Sequence, residues 1–442
     1  MSPPVNRIAS DERLPAQVDV VVIGGGVIGV SAAYHLAKRG HSVALVEKGH
    51  VGAEQSSRNW GWCRQQGRAR AEIPLAREAL RLWEDMQNDA GVDAGFRRTG
   101  VLFLTKNPEE LAAWEKWAVI AREQQVHSSI LTPAEISERM PGIADAWVGG
   151  LHTPSDGRAE PSMAVPALAA AARKHGVTIH QNCAARGLET QGGQVSAVVT
   201  EKGTIRAQSV LLAGGAWSSL FCRRHGIELP IGLVNATACR TAPGPEITTG
   251  ALGTDFYCIR RRLDGGFTLA LRNRGTVELS PDLFRYARTF WPTYLHRKNG
   301  LKLSFGKSLF DQIVRGTSWS LDKPSPFEAE RVRDPAPDMS LVNSALAALI
   351  KSNPELKDIE IAEAWGGTID CTPDTIPVIS PVDAMPGFFL ATGFSGHGFG
   401  IGPAAGKLAA DIVTGATPLV DPAAYSHVRL IDGRRLAPVS LF

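Results

Sequence analysis

Residues 20–47 read VVVIGGGVIGVSAAYHLAKRGHSVALVE, and no other stretch restricts the fold as tightly. Four apolar residues, Val20 to Ile23, run into Gly24-Gly25-Gly26-Val27-Ile28-Gly29, then a helical pattern to Ala37, Gly40 and a second apolar run, Val43 to Val46. This spacing predicts strand, tight turn, helix and strand. Such a turn aims the free N–H groups and positive end of a helix at a bound phosphate. Gly24 allows the turn, Gly26 lets backbone approach a pyrophosphate, and Gly29 lets helix and strand pack closely. Glu47 stands where a carboxylate would bond ribose hydroxyls, and it would repel a 2′-phosphate. The ADP half of FAD or NAD is therefore expected, rather than NADP.

A chain of 442 residues exceeds one ordinary core, so two or three domains are expected. The formal net charge of +3 is near balance and gives no reason to expect nucleic acid or an acidic membrane as partner. The six cysteines (Cys63, Cys183, Cys222, Cys239, Cys258, Cys371) show neither CxxC nor Cys/His spacing, so no zinc or iron–sulfur site is expected. Residues 1–17 lack the apolar core of a signal peptide, and no apolar run reaches the length of a transmembrane span. A cytoplasmic protein without a transmembrane segment is expected.

Beyond Glu47, residues 52–67 are polar and glycine-rich yet carry two tryptophans and two arginines. If Arg58 to Arg64 is extended, Arg58, Trp60, Trp62 and Arg64 share one face by the two-residue period. A guanidinium between aromatic walls would make a carboxylate clamp; the alternative puts the tryptophans in a core and the arginines on phosphate or solvent. Helical periodicity follows at Pro74–Asn88, Pro108–Gln125 and Pro161–His175, with Phe96–Leu104 as turn and strand. Val177–His180, Val195–Thr200 and Ser209–Leu212 read as strands, so residues 161–220 are expected to return to the nucleotide-binding sheet.

From about Leu233 to Ser344 the pattern changes. Strand-like Asp255–Arg260 and Gly266–Leu271 precede helical patterns at Asp282–Arg297 and Lys307–Val314, an order expected of an α+β domain. Residues 386–403 are again strand, glycine-rich loop and helix, the helix expected at Ala404–Thr414. Glycines this dense let main chain lie against a flat ligand with N–H groups turned to its charge.

These blocks together resemble the D-amino acid oxidase and sarcosine oxidase superfamily of FAD-dependent amine oxidoreductases. The opening βαβ, Leu211–Ser218 (the family's "AAGAWS" block), Thr372-Pro373-Asp374 and Gly393–Gly398, letter for letter the family's "GFSGHG", carry the likeness. The resemblance implies an α/β plus α+β fold. A discontinuous, Rossmann-like FAD-binding domain (18–95, 146–232 and 345–442) would accompany a substrate domain built on an antiparallel sheet (96–145 and 233–344). It implies that Gly24, Gly26, Val27, Ile28, Gly29, Glu47 and Lys48 hold the ADP half of FAD. Ser56, Ser57, Ala185, Ala213, Gly214 and Trp217 would also contact the cofactor, and Gly393, Gly396, His397, Gly398, Phe399 and Gly400 would lie toward the isoalloxazine. Arg58-Asn59 followed by Arg64 resembles the "RN…VR" spacing of sarcosine oxidase β subunits, which favours Arg64 as carboxylate anchor.

Three departures stand against that pattern. Gly400 occupies the place of a carboxylate-binding lysine, Thr268 that of the lysine that promotes reaction with oxygen, and Gly367 that of the flavin-linking cysteine. Noncovalent FAD and a dehydrogenase rather than an oxidase are therefore expected. Arg272 shares a strand face with Thr268 by period two, and either binds a second acidic group or forms a structural ion pair. His397 either orients its loop or the substrate, or is structural.

The expected chemistry is hydride transfer from the carbon beside nitrogen of an amino acid or N-substituted amino acid to FAD, followed by hydrolysis of the imine, with an unknown electron acceptor. The alternatives are an amino acid oxidase using O2, a flavin-binding subunit or assembly factor of an electron-transfer complex, and an NAD-dependent dehydrogenase.

Overall fold

The computed structural model describes residues 3–91, 93–144, 146–305, 318–436 and 438. The helical pattern expected at Lys307–Val314 lies outside them. The opening motif folds as its residues dictate: strand Val20–Ile23, helix Val27–Lys38 and strand Val43–Val46. Both strands are apolar throughout because both are buried along their whole length, as parallel strands covered on two faces must be.

A six-stranded sheet places Val20–Ile23 between Ser209–Leu212 and Val43–Val46, all parallel, with Val20 opposite Ser209 and Val43. Thr178–His180 continues one edge, and Phe388–Thr392 and the antiparallel Val378–Pro381 the other. Three stretches far apart in sequence thus end their strands at one place. On one face, helix Gly398–Thr414 lies against helix Val27–Lys38. Contact this close needs glycine: a Cβ on Gly402 would fall 2.6 Å from Val27 Cγ2, and one on Gly406 2.5 Å from Ser31 Cβ. This helix begins six residues earlier than expected, so the second glycine cluster is itself the first helical turn.

Not all of residues 161–220 return to this sheet. Ala185–Gln191, Gln194–Thr200 and Gly203–Arg206 form a separate three-stranded antiparallel meander, packed through Leu188, Val195 and Val198 on the other face.

A ten-stranded, mostly antiparallel sheet forms the second layer system. Its longest strands, Gly232–Thr241 and Ile361–Cys371, pair along their length. Two of its strands, Gly149–Thr153 and Ile361–Cys371, fall in segments 146–232 and 345–442, which were expected in the FAD-binding unit. Gly149–Thr153 joins the sheet beside the preceding strands Ser129–Leu131 and Val101–Thr105, whereas Ile361–Cys371 pairs with Gly232–Thr241, more than a hundred residues away, of which local composition carries no trace. Helix Met339–Ser352 buries Val342, Ala345 and Leu349 on one side of the sheet, with Leu252, Ile259 and Leu269. Helices Pro281–Arg285 and Ala287–Arg297, expected as one, are separated at Tyr286.

Candidate active site

The first cavity begins at the amino end of helix Val27–Lys38. Gly24 has φ +113°, and a Cβ there would lie 2.4 Å from the Ala213 carbonyl oxygen; one on Gly29 would lie 2.1 Å from the Gly24 oxygen. These two glycines seat the helix against the strands. Gly26 differs, because a Cβ on it would meet only Ser56 Oγ, at 3.1 Å. Its backbone is bare toward the cavity. The Ser56 hydroxyl accepts a hydrogen bond from Val27 N–H at 3.0 Å, beside helix N–H groups that have no intrahelical acceptor. Glu47 accepts from Gly25 N–H and Gly49 N–H, both at 2.7 Å, and burial raises its pKa.

Val27, Ile28, Glu47, Lys48, Ser56, Ala185, Ala213, Gly214 and Trp217 line this cavity, as do Gly396, Gly398 and Phe399 from the second glycine cluster. At one end Lys48 and Arg333 each stand 4.3 Å from the Trp217 ring centre, while Glu54 accepts hydrogen bonds from Lys48 Nζ (2.7 Å) and Trp217 Nε1 (3.1 Å). Lys48 also donates to the Glu330 and Arg331 carbonyls, tying a distant segment across this end. Bare backbone, a helix terminus and a buried carboxylate fit the diphosphate and ribose of FAD.

Gln55, Asn59, Gly396 and Phe399 also line a larger cavity of about 470 Å³, so the two adjoin. Its walls are chiefly apolar, including Phe103, Phe284, Phe290, Trp291, Tyr294 and Leu303. Arg58, Trp60, Trp62 and Arg64 all reach it, though not as one extended strand. Arg58 ends the helical turn Gln55–Arg58, and Gly61 turns the chain at φ +77°. Arg260, wholly buried, fixes that turn by donating to Trp60 O (2.6 Å), Glu160 (2.7 Å) and Thr268 Oγ1 (2.9 Å). Arg58 donates to Asp334 (2.8 Å) and Gly366 O (2.9 Å) and serves as a structural tie.

Arg64 lies by the Phe103 ring, 5.7 Å from its centre, and donates to the Gln66 carbonyl. Burial, reinforced by the neighbouring Arg68 charge, pushes its pKa down to about 9. Gln65 and Gln66 are held in turn by Asp156, which accepts both their backbone N–H groups. His397 also faces this end, with Nδ1 3.1 Å from Glu72 Oε1. Burial, then Arg68, lowers the His397 pKa to about 4. Burial acts to raise the Glu72 pKa, but the His397 ring and the Arg68 and Arg64 charges outweigh it and hold it low. A neutral imidazole donating to a buried carboxylate follows.

Four expected residues stand elsewhere. Thr268 lines neither cavity; its hydroxyl faces Arg260 and Arg262, beyond the strand end where Arg272 enters the larger cavity. Gly393 lines neither: φ +73° makes it a turn residue, its N–H held by Asp370 at 2.7 Å. Ser57 donates its hydroxyl to Glu54 O, and Gly29 packs against Gly24 and Ala213. Arg272 lines the larger cavity and pairs with both Glu110 and Asp255 at 2.6 Å. Arg68 and Glu72 follow Arg64 in one loop but match no motif, and the aromatic residues 284–294 reach the same cavity only through tertiary packing.

The model of the family described as FAD dependent oxidoreductase, DAO, matches residues 19–412. The chain belongs to this family. Its relatives include the glycine oxidase of Pseudomonas putida, 26% identical over 92% of this chain and 97% of its own. Dimethylglycine dehydrogenase of Mus musculus is 25% identical over 93% of this chain; the chain spans 44% of that protein's length, less than half. Among solved structures, the L-amino acid deaminase from Proteus myxofaciens in complex with anthranilate superposes with a TM-score of 0.92. It is 32% identical, and the match covers 97% of this chain and 98% of that one. The DAO family is FAD-dependent, and this chain is an FAD-dependent oxidoreductase of that family.

Proposed function

We propose that this DAO-family chain oxidises the carbon beside nitrogen of an amino acid carrying a large apolar side chain, and that it does so as a dehydrogenase. The observation that carries the reading is the larger cavity, an apolar chamber with buried arginine at the end where the Gly396–Gly400 main chain passes. A carboxylate has Arg64 to pair with, and the aromatic wall takes the side chain. FAD, when bound, supplies the hydride acceptor. The protein's part is placement. Trp60 and Trp62 wall the clamp, Asp156 holds the Arg64–Gln66 backbone, and the amino end of helix Gly398–Thr414 presents its first N–H groups to developing negative charge. No acid–base residue is required of the pocket if the amine binds neutral.

The cations lining the larger cavity are all arginines, with no lysine among the described residues, which supports a dehydrogenase over an oxidase. The names of the Proteus myxofaciens deaminase and of the mouse dehydrogenase support an amino acid or N-substituted amino acid as substrate. The test is anaerobic mixing of FAD-loaded protein with a panel of amino acids. Bleaching of the flavin by leucine- or phenylalanine-sized substrates, with little peroxide on admitting air, is the expected result; no bleaching across the panel refutes it. Arg64→Ala should lower kcat/KM by about ten- to a hundredfold, the worth of a charged hydrogen bond, with FAD content unchanged.

A further inference from the structure

Most buried or largely buried arginines among the described residues meet a carboxylate, and Arg158 stands 3.8 Å from Glu160. Arg58 has Asp334, Arg260 has Glu160, Arg272 has Glu110 and Asp255, and Arg429 has Asp374. Arg68 is equally buried, 3% exposed, and lines the larger cavity beside Arg64 and His397. Yet its Nε and Nη1 have no hydrogen-bond partner among the described residues. Buried guanidinium N–H groups without acceptors are costly, and a natural pocket retains them where an acceptor arrives from outside.

We infer that Arg68 is the second anion-binding group of this pocket, sharing the substrate carboxylate with Arg64. The inference rests on the amino acid reading above and names which side chains hold the acid. Its geometry is fixed in advance. Arg68 N–H donates to Gln65 O at 3.1 Å, and its carbonyl accepts Trp117 Nε1 at 2.9 Å, so its backbone is anchored on both sides. Glu72, which accepts from His397 with one oxygen and has the other without a partner, supplies the countercharge that keeps Arg68 cationic in a buried place. Arg68 in turn is a leading cause of the lowered Arg64 pKa, so the two guanidinium groups repel each other. An anion between them relieves that repulsion. Arg272 is not equivalent, because two carboxylates already meet it at 2.6 Å.

The test uses the FAD-loaded full chain and two probes of one shape, benzoate and benzamide, titrated by calorimetry and by perturbation of the flavin spectrum. Arg68→Met keeps the apolar stem and removes the charge. It should weaken benzoate by about ten- to a hundredfold while leaving benzamide unchanged, and raise KM for amino acid substrates more than it lowers kcat. If Arg68→Met does not fold with FAD, Arg68→Gln is subject to the same expectation. Wild-type benzoate affinity in the Arg68 variant, with the loss confined to Arg64→Ala, overturns the role of Arg68 and leaves the proposed function standing. Equal weakening of both probes shows a packing role and also overturns it. Unchanged benzoate binding in both arginine variants removes the carboxylate site, and with it the reading on which the inference rests.

Discussion

Gly26 and Gly29 stand three residues apart in one motif, and the structure assigns them different work that a pair of substitutions separates. A methyl group on Gly29 would lie 2.1 Å from the Gly24 oxygen and 3.3 Å from Ala213 Cβ, neither able to yield without moving a strand. Overpacking of this kind costs about 3 kcal/mol, and alanine returns about 1 kcal/mol of helix propensity, so Gly29→Ala should destabilise the apoprotein by about 2 kcal/mol. At the usual entropy of unfolding per residue that lowers Tm by roughly 2 to 5 °C, depending on how much of the chain melts together. A methyl on Gly26 meets only the rotatable Ser56 hydroxyl, at 3.1 Å, so Gly26→Ala should leave apoprotein Tm within about 1 °C of wild type. It projects instead into the space a pyrophosphate needs. Losing one charge-assisted contact there weakens FAD by about ten- to a hundredfold. The assay is calorimetric melting of the apoprotein beside fluorescence titration with FAD. Wild-type FAD affinity in Gly26→Ala, or an apoprotein melting loss equal to that of Gly29→Ala, refutes the division.

Arg272→Met should lower Tm, at a cost of about 2 kcal/mol, by leaving Glu110 and Asp255 facing each other, yet shift KM little; a large KM effect with intact Tm would make Arg272 a substrate ligand instead. Stability should also depend on pH through buried histidine. Burial pushes His35 down to about 3 and His397 to about 4, so below the ordinary value near 6.5 the unfolded chain binds more protons and stability falls as pH falls. Each histidine contributes up to about 2 kcal/mol of loss between pH 6.5 and 5; a Tm profile that does not flatten on replacing both with glutamine contradicts this.

The FAD end was legible because it is made of local rules. Val20–Glu47 contains its own strand, turn and helix, and Leu211–Trp217 and Gly393–Gly398 each end a strand in small residues at the same sheet edge. Local period did not carry as far as residues 58–64, where the helical turn Gln55–Arg58 and Gly61 at φ +77° interrupt an extended strand. Thr268 is given its place by resemblance alone, and in the structure its hydroxyl accepts from Arg260. Helix Gly398–Thr414 was started too late because glycine reads as loop, whereas here it is the price of helix contact at Gly402 and Gly406. The separate meander of residues 185–206 was invisible because an antiparallel pair and a return to the parent sheet share one alternating pattern.

The sequence by itself determined the cofactor and the family. A dinucleotide cradle depends on backbone N–H groups, a carboxylate and glycines at fixed short spacings, and those are written along the chain. The larger cavity was decided only by tertiary structure. Arg64, Arg68 and Glu72 come from one loop, His397 from a helix start more than three hundred residues on, and the aromatic wall from helices inserted in the large sheet. Arg68 has two buried guanidinium nitrogens, Nε and Nη1, without a hydrogen-bond partner among the described residues, and that is a property of its three-dimensional neighbours.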